Sequence, residues 1–181
     1  MLGAIPWILV LLFLPAGAAA DDKIWSLLKA GGQVVLVRHT ITTPGAGDPP
    51  GMRLDDCSTQ RNLTDAGRQH ARRIGEEWRK RGIPLERVLS SPWCRCLETA
   101  RLAFGKAEVS EALSNLFGRS ENSDRQVREM RALVYSHAGK GNLVLVSHGS
   151  TISALTGISP GTGEMVVLSK GKPAARLSVE D

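Results

Sequence analysis

Two histidines each close a strongly apolar run, in Leu36-Val37-Arg38-His39-Thr40 and Leu145-Val146-Ser147-His148-Gly149. Imidazole can act near neutral pH as a nucleophile, an acid or a base. Arg38 stands directly before His39. A third segment, Ser90-Ser91-Pro92-Trp93-Cys94-Arg95, follows a short apolar stretch and opens a helix. Arg95 would then lie beside a helix N-terminus, whose free N–H groups and partial positive charge suit an anion. Guanidinium donors pair bidentately with phosphate oxygens. Arg38, His39, Arg95 and His148 together predict a pocket for a dianionic phosphoryl group. Taken singly, each has a plainer reading: a strand-end histidine is usually structural, and an arginine usually makes a surface ion pair.

The elements that must position these residues are legible as an alternation. Lys23 to Lys29 predicts a short helix ended by Gly31-Gly32, and Val34-Val35-Leu36-Val37 a strand buried on both faces. A loop rich in Gly and Pro follows, from Thr40 to about Asp56. Thr64 to Arg81 reads as a helix with Ala71, Ile74, Gly75 and Trp78 on its inner face. Arg87 to Leu89 is a short strand, and Ser91-Pro92 starts a helix running to about Phe104. Gly105 to Glu121 carries no clear period. Ser123 to His137 predicts a helix with Val127, Met130 and Val134 inward. Leu143 to Val146 is a second buried strand, and Ser150 to Leu155 a helix. Met165 to Leu168 and Ala175 to Val179 suggest a hairpin around Lys170-Gly171-Lys172. Strands and helices alternating in this way imply a three-layer α/β/α fold on a mostly parallel central sheet, in one domain.

The 181 residues are 42% hydrophobic and 23% charged, as in an ordinary globular chain. Residues 1–20 stand apart. They hold no charged side chain, run through Ile8 to Leu14, and end in Ala18-Ala19-Ala20 before Asp21-Asp22. That pattern predicts a cleaved signal peptide, with residues 21–181 as the mature domain in a secreted or periplasmic location. No Lys or Arg precedes the apolar run, which leaves an uncleaved anchor as the competing reading. The run falls short of the roughly 20 apolar residues a membrane span needs, so no stable span is expected after cleavage. The net charge of +5 favours acidic partners. Much of it lies in Arg68, Arg72, Arg73, Arg79, Lys80 and Arg81, which read as a solvated helix face. No aromatics are interleaved there, so nucleic acid is not an expected partner. Cys57, Cys94 and Cys96 lack paired zinc-ligand spacing. A bridge from Cys57 to Cys94 or to Cys96 and three unpaired thiols stand as alternatives. His70 and His137 fall inside helices and read as structural.

Four ordered motifs resemble those of the histidine phosphatase superfamily, also called phosphoglycerate mutase-like. Arg38-His39 is similar to its Arg-His-Gly signature, with Thr42 at the Thr of the longer Arg-His-Gly-Glu-Thr form. Asn62-Leu63-Thr64-Asp65-Ala66-Gly67-Arg68 resembles its Leu-Thr-x-x-Gly helix start. Ser90-Ser91-Pro92 through Arg95, then Glu98-Thr99-Ala100, resembles its Ser-Ser-Pro segment. Val146-Ser147-His148-Gly149 resembles its second histidine motif. The resemblance implies a phosphomonoester hydrolase in which His39 attacks phosphorus to form a phosphohistidine. Arg38, Arg95 and His148 hold the phosphoryl oxygens, Thr42 binds substrate, and neither metal nor cofactor is required. The small exported type of this superfamily acts on extracytoplasmic phosphates such as cell-envelope phosphosugars. The alternatives are a phosphohistidine phosphatase acting on proteins and a non-catalytic phosphate-binding module.

Three departures bear on that reading. Thr40 replaces the usual Gly and is expected to narrow the pocket, and Gly45 replaces the Asn of mutase-like members. Leu113-Ser114-Asn115 falls where the family carries its acid in a Leu-x-Glu context, and Asn cannot protonate a leaving group. Glu111, Asp48 and Asp124 are the substitutes offered by the loops. A good leaving group, such as imidazole or a sugar-1-phosphate, needs less help from an acid.

Overall fold

The computed structural model describes residues 16–118 and 123–179. The predicted signal segment up to residue 15, and Glu121, lie outside the described residues. Six strands form one sheet: β1 (Val34–Arg38), β2 (Leu85–Ser90), β3 (Glu108–Val109), β4 (Asn142–Ser147), β5 (Met165–Ser169) and β6 (Lys172–Leu177). Their order is β3-β2-β4-β1-β5-β6. β1 to β4 run parallel, and β5 and β6 close one edge as an antiparallel hairpin. The helices are α1 (Ala16–Ala30), α2 (Asp65–Lys80), α3 (Cys94–Phe104), α4 (Ser123–Ser136) and α5 (Gly149–Thr156).

β1 shows why the layers form. Val35 and Val37 point into one cluster with Trp25 and Leu28 of α1, Ile74 and Trp78 of α2, and Ala100 and Phe104 of α3. Val34 and Leu36 point the other way, to Met130 and Val134 of α4 and Ile152 of α5. Successive strand side chains face opposite sides, so a continuous apolar run serves two helix layers. Trp78 and Phe104 meet edge to face at 5.3 Å between centroids, and the Arg81 guanidinium lies 4.5 Å over the Trp25 ring.

Several boundaries differ from expectation. α1 begins at Ala16 rather than Lys23, so it runs through the expected cleavage point. α3 begins at Cys94, because Trp93, the residue before the first turn, is extended at φ −63°, ψ 135°. The segment without a period contains β3, a two-residue exposed edge strand, and a 3₁₀ turn over Glu111–Leu113. In the hairpin, β6 starts at Lys172, since Lys170 and Gly171 both adopt positive φ (51° and 75°) and make the turn themselves. Among the described residues, no helix is long and apolar enough to cross a membrane.

α2 is set with care against the loop after β1. The Thr64 side chain accepts from the Gly67 N–H at 3.0 Å and caps the helix. A Cβ at Gly67 would run into the Ile41 carbonyl, and one at Gly75 into that of Ala103. These two glycines let α2 approach the loop after β1 and α3 closely.

Candidate active site

Parallel pairing sets Arg38 opposite Ser147, so His39 and His148 leave the two central strands at the same level. The His39 N–H donates to the Ser147 carbonyl at 3.0 Å, which extends the ladder one step beyond the strands. The two rings lie edge to face, 5.5 Å between centroids. Both border a cavity of about 440 Å³ at the carboxyl edge of the sheet, with Arg38, Arg95 and Asn115. Crevices at that edge are where open parallel sheets bind ligands.

His39 is 3% exposed. Burial, then the nearby charges of Arg95, Arg38 and Arg61, bring its pKa to about 3, against an opposing contribution from the Thr40 carbonyl. The ring is therefore neutral at pH 7. Its Nδ1 lies 2.9 Å from the Thr40 carbonyl. A carbonyl only accepts, so Nδ1 carries the proton and Nε2 keeps its lone pair. That is the tautomer a nitrogen nucleophile needs.

His148 is held on both sides. Its Nε2 lies 2.8 Å from the Ser91 hydroxyl, and its Nδ1 lies 3.4 Å from Nη2 of Arg95. A guanidinium only donates, so Nδ1 is the acceptor and Nε2–H points to Ser91. Burial, then the nearby His39 ring and the charges of Arg95, Arg38 and Arg61, keeps its pKa well below the usual histidine value. Trp93 packs edge-on against the same ring at 5.3 Å. Cys96 lies behind it, with Sγ 3.5 Å from Nε2. Burial pushes this thiol up to about 12, so it stays protonated and is no nucleophile.

The arginines are positioned differently. Arg38 donates from Nη1 to the Pro160 carbonyl at 2.8 Å, and burial lowers its pKa. Arg95 is 1% exposed and meets Asp48 in a two-pronged pair, Nη1–Oδ1 2.6 Å and Nη2–Oδ2 3.1 Å. Asp48 also accepts from the Trp93 indole at 3.0 Å and the Arg61 backbone N–H at 3.1 Å.

Each residue singled out from the sequence has a definite place. Arg38, His39, Arg95 and His148 come together at the cavity, and Asn115 joins them. Thr42 does not line it: its backbone bridges to Leu63 ahead of α2. Thr40 does not narrow the pocket, contrary to expectation. It is fully buried, with its N–H and hydroxyl turned to the Thr99 hydroxyl of α3 at 3.2 and 3.4 Å. Of the substitute acids, Asp48 is committed to Arg95. Burial alone would raise its pKa, but the Arg95 guanidinium, the Arg61 N–H and the Trp93 indole outweigh that and lower it. Glu111 accepts from the Ser114 hydroxyl, and neither it nor Asp124 lines the cavity. Asn115 accepts from the Phe117 N–H at 3.1 Å and the Ser150 hydroxyl at 3.0 Å. No carboxylate lines the cavity among the described residues.

The cysteine alternatives resolve to a Cys57–Cys94 disulfide, Cα–Cα 5.7 Å, with Cys96 free and buried. The bridge ties the loop before α2 to the residue preceding Arg95. His70 and His137 both bond to backbone carbonyls, of Val179 and Gly141, each at 3.0 Å. Sequence reasoning missed Arg61 and Phe117, which also line the cavity. Both are loop residues without a spacing signal, although Arg61 stands two residues before the recognisable Leu63-Thr64.

Residues 34–117 match the family model described as histidine phosphatase superfamily (branch 1). No curated protein matches the sequence significantly. Solved structures share the fold at low identity. A phosphoserine phosphatase from Entamoeba histolytica, in complex with 3-phosphoglyceric acid, is 16% identical at TM-score 0.58, over 81% of this chain and 95% of its own. A putative phosphohistidine phosphatase, SixA, from Agrobacterium tumefaciens is 20% identical at TM-score 0.54, over 82% and 98%. A mycobacterial glucosyl-3-phosphoglycerate phosphatase is 19% identical at TM-score 0.55, over 76% and 89%. Over residues 34–117 the chain is similar to the histidine phosphatase superfamily, and it shares the fold of these solved structures.

Proposed function

We propose that this histidine-type phosphatase hydrolyses an extracytoplasmic phosphorylated small molecule, of the kind a cell-envelope phosphosugar represents. The observation that carries the chemistry is His39. It is neutral, its Nδ1 proton is held by the Thr40 carbonyl, and among the described residues its Nε2 has no hydrogen-bond partner. The Nε2 lone pair attacks phosphorus, the bond from phosphorus to the leaving oxygen breaks, and a phosphohistidine remains. Water then attacks phosphorus, releases inorganic phosphate and returns His39. The Arg38 guanidinium, with the Arg95 charge behind it, stabilises charge on the phosphoryl oxygens during both transfers, and His148 lines the pocket as a neutral ring held by Ser91 and Arg95.

The extracytoplasmic part rests on the apolar segment ending at Ala20 and on the Cys57–Cys94 bridge, which oxidising compartments favour. Mass spectrometry of protein from its native host should find Asp21 as the first residue. Soluble cytoplasmic protein retaining Met1 would overturn that part.

A second reading, phosphohistidine as substrate, is favoured by Asn115 at the acid's place, because imidazole departs with less proton assistance. One experiment tests the chemistry and ranks the substrates. Turnover is measured on a panel of phosphosugars, phosphohistidine and nucleotides, and the enzyme is quenched to trap acid-labile phosphate. The expected result is label on the wild type and none on His39→Ala. Turnover by wild type with no labelled intermediate, and full activity in the variant, would sink the mechanism.

A further inference from the structure

Three guanidinium groups border the cavity, from Arg38, Arg61 and Arg95, together with two histidines held neutral. Among the described residues a single carboxylate, that of Asp48, pairs with any of them through side chains, and it is spent on Arg95. Among the described residues, neither Arg38 nor Arg61 has a carboxylate partner for its side chain. Arg38 donates to the Pro160 carbonyl and Arg61 to the Gly45 carbonyl at 2.7 Å. These are neutral acceptors that fix the side chains without cancelling their charge. Among the described residues, the buried Nε of Arg38, of Arg61 and of Arg95 finds no hydrogen-bond partner, so the three differ in what their terminal nitrogens meet. The pocket thus carries two uncompensated positive charges, which is the complement of a phosphate monoester dianion.

We infer that Arg61 is a phosphoryl-binding residue of this site, acting with Arg38, while Asp48 keeps the two terminal nitrogens of Arg95 occupied. The backbone supports this division. The Arg61 N–H and the Arg95 fork both converge on Asp48, and the Arg61 carbonyl accepts a longer hydrogen bond from Arg95 Nη1 at 3.4 Å. Asp48 therefore holds Arg95 in the wall and, through the main chain, sets where Arg61 leaves the loop. Burial and the nearby Arg95 charge both disfavour the Arg61 cation, and an arriving dianion relieves that repulsion. The Cys57–Cys94 bridge fastens the loop segment that ends at Arg61.

This inference rests on the phosphatase reading for its substrate, but it is tested without turnover. Binding of inorganic phosphate is measured by titration calorimetry at one fixed salt concentration, for wild type, Arg61→Gln and Arg61→Lys. Removing a charge-assisted guanidinium hydrogen bond from a shielded site weakens binding about 10–100-fold. Arg61→Gln should raise the phosphate Kd by that factor with little change in Tm. Arg61→Lys should fall between the two, because a point charge replaces a planar fork. Equal phosphate affinity in wild type and Arg61→Gln overturns the inference and leaves the phosphatase reading standing. Weakened phosphate binding in the variant, with no acid-labile phosphate on wild-type His39, supports it and overturns the phosphohistidine mechanism. If Arg61→Gln fails to fold, Arg61→Lys decides: an unchanged Kd sinks the inference, and a several-fold rise in Kd upholds it.

Discussion

Arg95 Nη1 lies 2.6 Å from Asp48 Oδ1, and the two side chains are 1% and 9% exposed. A guanidinium so deeply placed is tolerable because its charge is met at once by a carboxylate that also has an indole and a backbone N–H to satisfy it. Breaking a buried pair by removing one partner costs about 3–5 kcal/mol, since the other charge is left uncompensated. Asp48→Asn should lose stability of that order in urea titrations at pH 7. It should also recover more of that loss on adding phosphate than the wild type gains, because the Arg95 fork becomes free for an anion. A variant as stable as wild type would show that the pair contributes little.

Acid should act on the pocket in two windows. His39 and His148 are neutral when folded, chiefly through burial, and their folded pKa values lie below the ordinary histidine value of 6.5. The unfolded chain therefore binds protons first. Stability is fully present above about pH 6.5 and falls as the pH drops toward the His39 value of about 3. Asp48 adds a later window: its folded pKa is below 3.8, so its contribution holds above that value and is lost as the pH falls beneath it. Urea melts from pH 7 to 4 should show His39→Gln losing less stability on acidification than wild type. Parallel curves for the two proteins would contradict the burial argument.

Asn115 should leave a kinetic signature. Without a positioned carboxylic acid, negative charge builds on the departing oxygen in the transition state. An acid in place contributes about 10²–10⁴-fold, and the gap between aryl and alkyl phosphates should be of that order beyond their intrinsic difference. A series of substituted phenyl phosphates with one alkyl phosphate checks it under conditions where chemistry limits the rate. A flat series would mean that another group donates the proton. Asn115→Glu should raise activity on the alkyl phosphate.

The bridge should matter for both stability and the site. It closes a loop with a sequence separation of 37, for which chain entropy gives about 3–4 kcal/mol. Cys57→Ser/Cys94→Ser should lose stability of that size. It should also raise KM more than it lowers kcat, because the loop it fastens carries Arg61 and not His39. A pure kcat effect would contradict that division.

The central machinery was legible because it is local. Val34 to Val37 and Leu143 to Val146 are uninterrupted β-branched and apolar runs, which only strands buried on both faces need. Thr64 announces a helix start, and Ala71, Ile74, Gly75 and Trp78 keep helical period; all four are buried. What escaped is decided by contacts distant in sequence. β3 is two exposed residues with nothing periodic to read. Thr40 reads as a pocket intruder until α3 brings Thr99 beside it. Asp48 and Arg61 lie in an irregular loop, and only the folded chain shows one meeting Arg95 and the other bordering the cavity. Pro92 suggested a first helical turn, but Trp93 must stay extended to reach Asp48 and His148.

The pairing of Arg38 with Ser147 also determines where this chain can change length. One residue gained or lost inside β1, with β4 untouched, would shift His39 along the sheet by about 3.3 Å relative to His148. It would also turn the preceding side chains from one helix layer to the other. A matching change in β4 would bring the histidines level again, yet both strands would still present their apolar residues to the wrong layers. Codon insertions and deletions are thus barred from Val34–Arg38 and Asn142–Ser147 even where each new residue is itself a good strand former. Diversity in length among chains that keep this pair must accumulate in the connections, where neither histidine is carried along.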